Sequence, residues 1–291
     1  MTQNAEYQLP EVWTAPEDAS GRFGGINRPE AGPRYEAELP RGQHSLQLYS
    51  LATPNGQKVT IMLEELLAAG VTDAEYDAHL IRIMEQEQFS SGFVAINPNS
   101  KIPAMVDYSE PTPIRVFESG NILLYLAEKF GRFLPSERAA RTEVLNWLFW
   151  LQGSAPFVGG GFGHFYAYAP SKQEYPINRY TMETKRLLDV LNRRLAEQPY
   201  LGGADYSIAD MATWPWFAGL MNNTVYGAAK FLDSERYTHV RRWVDEIAAR
   251  PAVERGIIVN SVRGEPHEQL HFRHSAADID DALEARRRGK L

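Results

Sequence analysis

Residues 46–58 read Leu46-Gln47-Leu48-Tyr49-Ser50-Leu51-Ala52-Thr53-Pro54-Asn55-Gly56-Gln57-Lys58. The first five alternate as a strand does. Thr53-Pro54-Asn55-Gly56 is turn chemistry. Beyond it Val59, Met62, Leu63, Leu66 and Leu67 recur at helical spacing, and Gly70 supplies a stop. A strand therefore runs through a turn into a helix, and the turn carries a hydroxyl (Thr53) and an amide (Asn55). The first N–H groups of a helix lack intrahelical partners and sit at the positive end of its macrodipole. Such a place suits an anion, and an ordinary N-cap is the plainer use of the same residues.

The pattern continues outward. Residues 76–83 predict a second strand and 88–95 a short helix. Residues 104–107 and 114–117 predict two short strands around a turn containing Pro111 and Pro113. Residues 119–129 predict a helix with Ile122, Leu123, Leu126 and Ala127 on one face, ended by Gly131. The order is β-α-β-α-β-β-α over 44–131. Residues 139–262 carry helical stripes, among them Val144, Leu145, Leu148 and Leu151, then Leu187, Leu188, Leu191 and Leu195. Ser207-Ile208-Ala209-Asp210 is a capping-box pattern. Residues 1–43 form a Gly- and Pro-rich leader. Its Tyr7, Trp13 and Tyr35 predict an arm packed on the body. After 263 the chain turns polar, and 263–291 is expected to run as a surface tail.

Composition narrows the function. The chain has 291 residues, 44% of them hydrophobic, which suits two domains and excludes wholesale disorder. No apolar run reaches the roughly 18–20 residues of a membrane span, and no secretory signal is seen. The 30 basic and 37 acidic residues leave a net charge of −7, unfavourable for binding nucleic acid. There is no cysteine. This excludes disulfides, Cys-ligated metals and a cysteine nucleophile borne by the protein. The expected compartment is the cytoplasm.

Two further segments could carry chemistry. In residues 97–104 the apolar Ile102 precedes Pro103 at a strand entrance, where a trans bond is the default and a cis bond would turn the Ile102 backbone outward. In Phe117-Glu118-Ser119-Gly120 a strand again meets a helix. Glu118 or Ser119 could cap that helix, or the pair could grip a ligand's α-amine and α-carboxylate.

Together these segments resemble the glutathione transferase superfamily over about 46–262, and residues 201–210 resemble its helical-domain signature. Thr53-Pro54-Asn55-Gly56, residues 97–104, Trp147-Leu148-Phe149-Trp150 and Arg179-Tyr180 look like its bacterial Nu class, the disulfide-bond oxidoreductase type, and the leader like that class's extended subgroup. The resemblance implies an α/β thioredoxin-like N-terminal domain with a cis proline, then an all-α helical-bundle domain, and a homodimer. It implies Thr53 and Asn55 as the catalytic pair facing the sulfur of glutathione. Gln88 and Lys101 would take the glycyl end, Ile102 the cysteinyl backbone, and Glu118 and Ser119 the γ-glutamyl end. Gln152 and Arg179 would reach a second glutathione or half of glutathione disulfide, and Asn27 of the leader would touch the site. The class lacks the catalytic Tyr, Ser or Cys of its relatives, in agreement with the missing cysteine here.

The chemistry is of feasible size. Lowering a thiol from about 8.5 to about 6.5 takes roughly 2.7 kcal/mol. A donor to a charged acceptor contributes about 1.5–3 kcal/mol and a helix end about 0.3–1. A hydroxyl, an amide and a dipole thus suffice for thiol–disulfide exchange with two glutathiones. Two rivals stay open: a transferase or peroxidase acting on electrophiles or organic peroxides, and a non-catalytic binding or scaffold protein of the same fold. Gly159-Gly160-Gly161-Phe162-Gly163-His164 lacks the context of a phosphate cradle and predicts a flexible loop lining the pocket. His164, the histidines at 267, 271 and 274, and Arg286-Arg287-Arg288 predict solvated or structural roles, with no metal. Trp147, Trp150, Trp214 and Trp216 predict core.

Overall fold

A computed structural model describes residues 7–15, 23–26 and 28–289. A short 3₁₀ turn at Gly24–Ile26 precedes β1 (Leu46–Ser50), which is followed by α1 (Pro54–Ala68), β2 (Tyr76–Leu80), α2 (Ser91–Ile96), β3 (Ala104–Asp107), β4 (Ile114–Phe117) and α3 (Ser119–Phe130). β1 pairs in parallel with β2 (Leu46 opposite Tyr76) and antiparallel with β3 (Leu46 opposite Asp107). β3 in turn pairs antiparallel with β4. Every residue of β1, β2 and β3 is buried, because helices and the leader cover the faces of the sheet. β2 stops at Leu80, earlier than its apolar run suggests, because the Glu87 carboxylate accepts the Arg82 N–H and holds a 3₁₀ turn there. The helix expected over 88–95 is split for a similar reason: Ser90 caps a fresh start by accepting from the Phe93 N–H.

The second half is helical: α4 (Arg138–Pro156), α5 (Glu174–Glu197), α6 (Ile208–Met221), α7 (Ala229–Leu232), α8 (Thr238–Ala248) and α9 (Pro251–Gly256). α6 is buried along its whole length and packs against both α1 and α4. The capping box at its start is formed, with Ser207 and Asp210 both buried. Asp210 also accepts from the Leu201 N–H and the Trp243 indole. Burial pushes its carboxyl up to about 6, while those donors act the other way. This one carboxylate therefore joins α6, α8 and the turn at 201.

Three expectations are corrected. The glycine run is no flexible loop: residues Phe157–Tyr168 form a wide-turn π-helix continuous with α4. Its glycines let rings approach the backbone. A Cβ on Gly161 would lie 2.3 Å from the Tyr180 ring, and one on Gly163 2.2 Å from that of Tyr226. Nor is the segment expected as a surface tail over 263–291 one in its described part, 263–289. Phe272–Arg273 (β5) pairs antiparallel with β2 and completes a sheet of order β4-β3-β1-β2-β5, and Ala276–Arg288 forms α10. Arg273 is wholly buried, bonding the Glu75 carboxylate at 2.7 Å and the Tyr76 carbonyl at 2.6 Å, with Glu64 at 3.6 Å. The signal was missed because an Arg in a polar stretch looks solvated until its carboxylates are known. Of the histidines, His271 bonds Gln269 and His274 bonds Asp77.

The leader is the third case, corrected in part. Residues 34–37 do pack on the body: the Arg34 N–H donates to the Phe89 carbonyl, and the Tyr35 and Ala37 carbonyls accept from Ser91 and Gly92. Arg34 also stacks on the Phe89 ring. Tyr7 and Trp13, however, are exposed.

Candidate functional site

The cleft lies where β1 meets α1, β3 meets its preceding loop, and β4 meets α3. It has a volume of about 350 Å3 and is lined by Thr53, Asn55, Gln88, Lys101, Ile102, Glu118 and Ser119 among others. These seven are residues that the sequence singles out, drawn together from four separate stretches. Ile26 of the leader and Trp216 of α6 also line it. Asn27 lies outside the described residues. Arg179 is exposed on α5 and is not part of this lining.

Each wall has a local cause. At the α1 end, Thr53 has extended backbone and its hydroxyl accepts from the Gly56 N–H at 3.4 Å, a long cap bond. Gly56 is required there, since a Cβ would fall 2.0 Å from the Leu51 carbonyl oxygen. The cap bond uses only an acceptor lone pair of Thr53, which leaves its O–H free to donate. Asn55 Oδ1 accepts from the Trp216 indole N–H at 3.0 Å. Indole nitrogen is a donor only, so the amide orientation is fixed by chemistry: its oxygen faces Trp216, and its NH2 remains to donate elsewhere. Sequence reasoning assigned Trp216 to the core. It is 8% exposed and its ring also packs on Gly159, where a Cβ would lie 2.7 Å from it.

The middle wall is the loop before β3. The peptide bond Ile102–Pro103 is cis. The Asn97 side chain donates to the Lys101 carbonyl at 2.6 Å and holds this loop. Opposite, Gln88 is buried and donates to the Ile83 carbonyl, while its Oε1 has no partner among the described residues.

At the α3 end, Glu118 is the N-cap residue but makes no side-chain cap bond. Its φ of 68° is left-handed for a non-glycine residue, a conformation costing about 1–3 kcal/mol and concentrated at functional sites. Asn99 donates to its carboxylate at 3.4 Å. Ser119 is buried, and its hydroxyl accepts from Lys58 Nζ at 3.2 Å. Gln152 of α4 packs over Gly120, whose Cβ would lie 2.8 Å from it, and its Oε1 also accepts from Lys58 Nζ at 3.2 Å. Lys58 was missed in the sequence because it follows the turn inside a helix like any solvated lysine. Its Nζ is the hub of this end of the cleft.

Two helix N-termini thus converge on one cleft with hydroxyl and amide donors, and with a carboxylate at one end. Among the described residues no group of three or more His, Asp or Glu could hold a metal ion. The arrangement suits an anionic peptide-like ligand with an amine at one end.

This fold and this cleft define a glutathione-binding protein of the transferase type. The N-terminal domain model of glutathione S-transferases matches residues 44–128, and the C-terminal domain model matches 174–246. The chain belongs to the glutathione S-transferase family. It is 63% identical, over 99% of its length and 100% of the relative's, to the disulfide-bond oxidoreductase YghU of Escherichia coli K12. Among solved structures it resembles a glutathione transferase YghU from Streptococcus pneumoniae, complexed with glutathione. The TM-score is 0.85 at 57% identity, covering 89% of this chain and 100% of that one. It also resembles a glutathione transferase from Pseudomonas putida with one glutathione disulfide bound per subunit. There the TM-score is 0.69 at 38% identity, covering 75% and 93% of the two chains.

Proposed function

We propose that this protein is a glutathione-dependent disulfide-bond oxidoreductase of the Nu class. The observation that carries the reading is the α1 end of the cleft. Thr53 and Asn55 offer two donors at a helix N-terminus, in a chain with no cysteine. The ligand must then bring the sulfur, and the protein ionises it. Two glutathiones are consumed as substrate: the first thiolate displaces half of the disulfide and the second releases the other half, so two glutathione thiols become one glutathione disulfide and one substrate disulfide becomes two thiols.

The rest of the cleft fits such a ligand. The orphaned Oε1 of buried Gln88 awaits a donor at the glycyl end, with Lys101 beside it for the carboxylate. The Ile102 backbone pairs the cysteinyl amide. The uncapped start of α3 and Ser119 receive the γ-glutamyl carboxylate, and Glu118 pairs the amine. Gln152 and Arg179 take part in holding the second glutathione. The relatives' names and bound ligands support this reading. We propose further that the protein is a homodimer working in the cytoplasm, where glutathione is kept reduced. No helix among the described residues is long and apolar enough to cross a membrane.

The test is a parallel assay. Rates with glutathione are compared for 2-hydroxyethyl disulfide, 1-chloro-2,4-dinitrobenzene and cumene hydroperoxide. Disulfide reduction is expected to dominate, and a preference for either electrophile would overturn it.

A further inference from the structure

Lys58 is a buried cation that the exchange chemistry does not use. It is 1% exposed, and its Nζ donates to Ser119 Oγ and Gln152 Oε1, each at 3.2 Å. Burying an ammonium costs several kcal/mol unless something nearby compensates. The two partners it has are neutral.

An ammonium can only donate. The Ser119 hydroxyl must therefore accept from it, and its own O–H is left to donate away from Lys58. Gln152 likewise turns its oxygen to Lys58 and leaves its NH2 to donate elsewhere. A neutral lysine could instead accept from Ser119 and reverse that polarity. We infer that Lys58 is a positioning residue for the γ-glutamyl end: it orients Ser119 as a donor to the ligand's α-carboxylate, is that carboxylate's buried counter-charge, and leaves the Gln152 NH2 as a donor for the second glutathione. The inference rests on the proposed glutathione site.

A consequence is proton linkage. Burial pushes the Lys58 ammonium down to about 7, with the Glu118 carboxylate opposing. Among the described residues Glu118 is the charged group acting on it. α4 presents neutral Gln152, and α6 presents Trp216 to the neighbouring Asn55. From the α9 region Arg250 and Arg255 are engaged by Glu65 and Glu64, and Asp210 is engaged at the start of α6. A carboxylate arriving at Ser119 favours the charged form, so ligand binding takes up a proton. Among the described residues the cleft lining contains no histidine that could do so in its place.

Calorimetry of the full chain with S-methylglutathione tests this without a thiol to confuse the proton count. Titrations at pH 7 in buffers of different ionisation enthalpy are expected to show uptake of about half a proton per site, and the affinity should weaken as pH rises from 6.5 to 8.5, by at most about tenfold per unit. Lys58→Arg keeps the charge without titrating and should bind within a few-fold while losing the uptake. Lys58→Met should bind at least about tenfold more weakly, equivalent to 1.4 kcal/mol. Tight binding by wild type without proton uptake, or uptake that survives in Lys58→Arg, would overturn the role of Lys58 alone. Absence of any binding by wild type would overturn the glutathione site itself.

Discussion

Replacing Trp216 by Phe removes one hydrogen bond and nothing charged. The indole N–H holds Asn55 Oδ1 at 3.0 Å and so keeps the amide NH2 as a donor toward the sulfur. A neutral hydrogen bond of this kind contributes about 0.5–1.5 kcal/mol. If that preference is passed on to the thiolate, the bound thiol titrates about 0.4–1.1 units higher, at 1.36 kcal/mol per unit. Below that value the rate follows the thiolate fraction, so with a wild-type value of about 6.5 kcat/KM for 2-hydroxyethyl disulfide at pH 6 should fall about 2- to 10-fold. At high pH the profiles should converge or cross, because a more basic thiolate is the better nucleophile. The assay is kcat/KM against pH for wild type and Trp216→Phe, with thermal unfolding run in parallel to report lost packing. A profile that keeps its inflection, or a drop by the same factor at every pH, would refute the idea that Trp216 acts through Asn55.

Other substitutions probe the remaining contacts. Thr53→Val keeps the volume and loses the hydroxyl; a donor to a charged acceptor contributes about 1.5–3 kcal/mol, so the same inflection should rise by about 1–2 units. Arg273→Leu takes the partner from half-exposed Glu75 and leaves Glu64 with Arg255 alone, and unfolding in urea should show a loss of about 1.5–3 kcal/mol, with amide exchange fastest over 270–288. Burial pushes the Asp77 carboxyl up, but bonds from His274, His44 and Gln47 outweigh this and hold it below its ordinary value of 3.8. Its contribution is therefore present above pH 3.8 and lost as pH falls through the lower folded value, so Asp77→Asn should flatten the acid limb of the stability curve.

Local rules carried the N-terminal half of the fold. Strand and helix periods, the Thr53-Pro54 start and the Gly131 stop place β1, α1, β3, β4 and α3 within a residue or two, because each is set by its own side chains and nearest turns. Boundaries failed where a side chain from outside the segment intervened, as Glu87 does at Arg82 five residues before it. The 157–168 segment and the 263–289 segment failed for the same reason. Their glycines and arginines look like loop and solvent until the rings of Tyr180 and Tyr226, or the carboxylates of Glu64 and Glu75, stand opposite.

The candidate site divides in the same way. By itself the sequence determined which residues could do chemistry: two strand-to-helix turns with a hydroxyl each, an Ile-Pro loop between them, and no thiol of the chain's own. These are properties of short segments and of composition. Only the tertiary structure decided how those groups are aimed. It brought Trp216 from 161 residues away to fix the Asn55 amide, and Gln152 from 94 residues away to share Lys58 with Ser119. Orientation of a donor depends on what occupies its other side, and that neighbour arrives by folding.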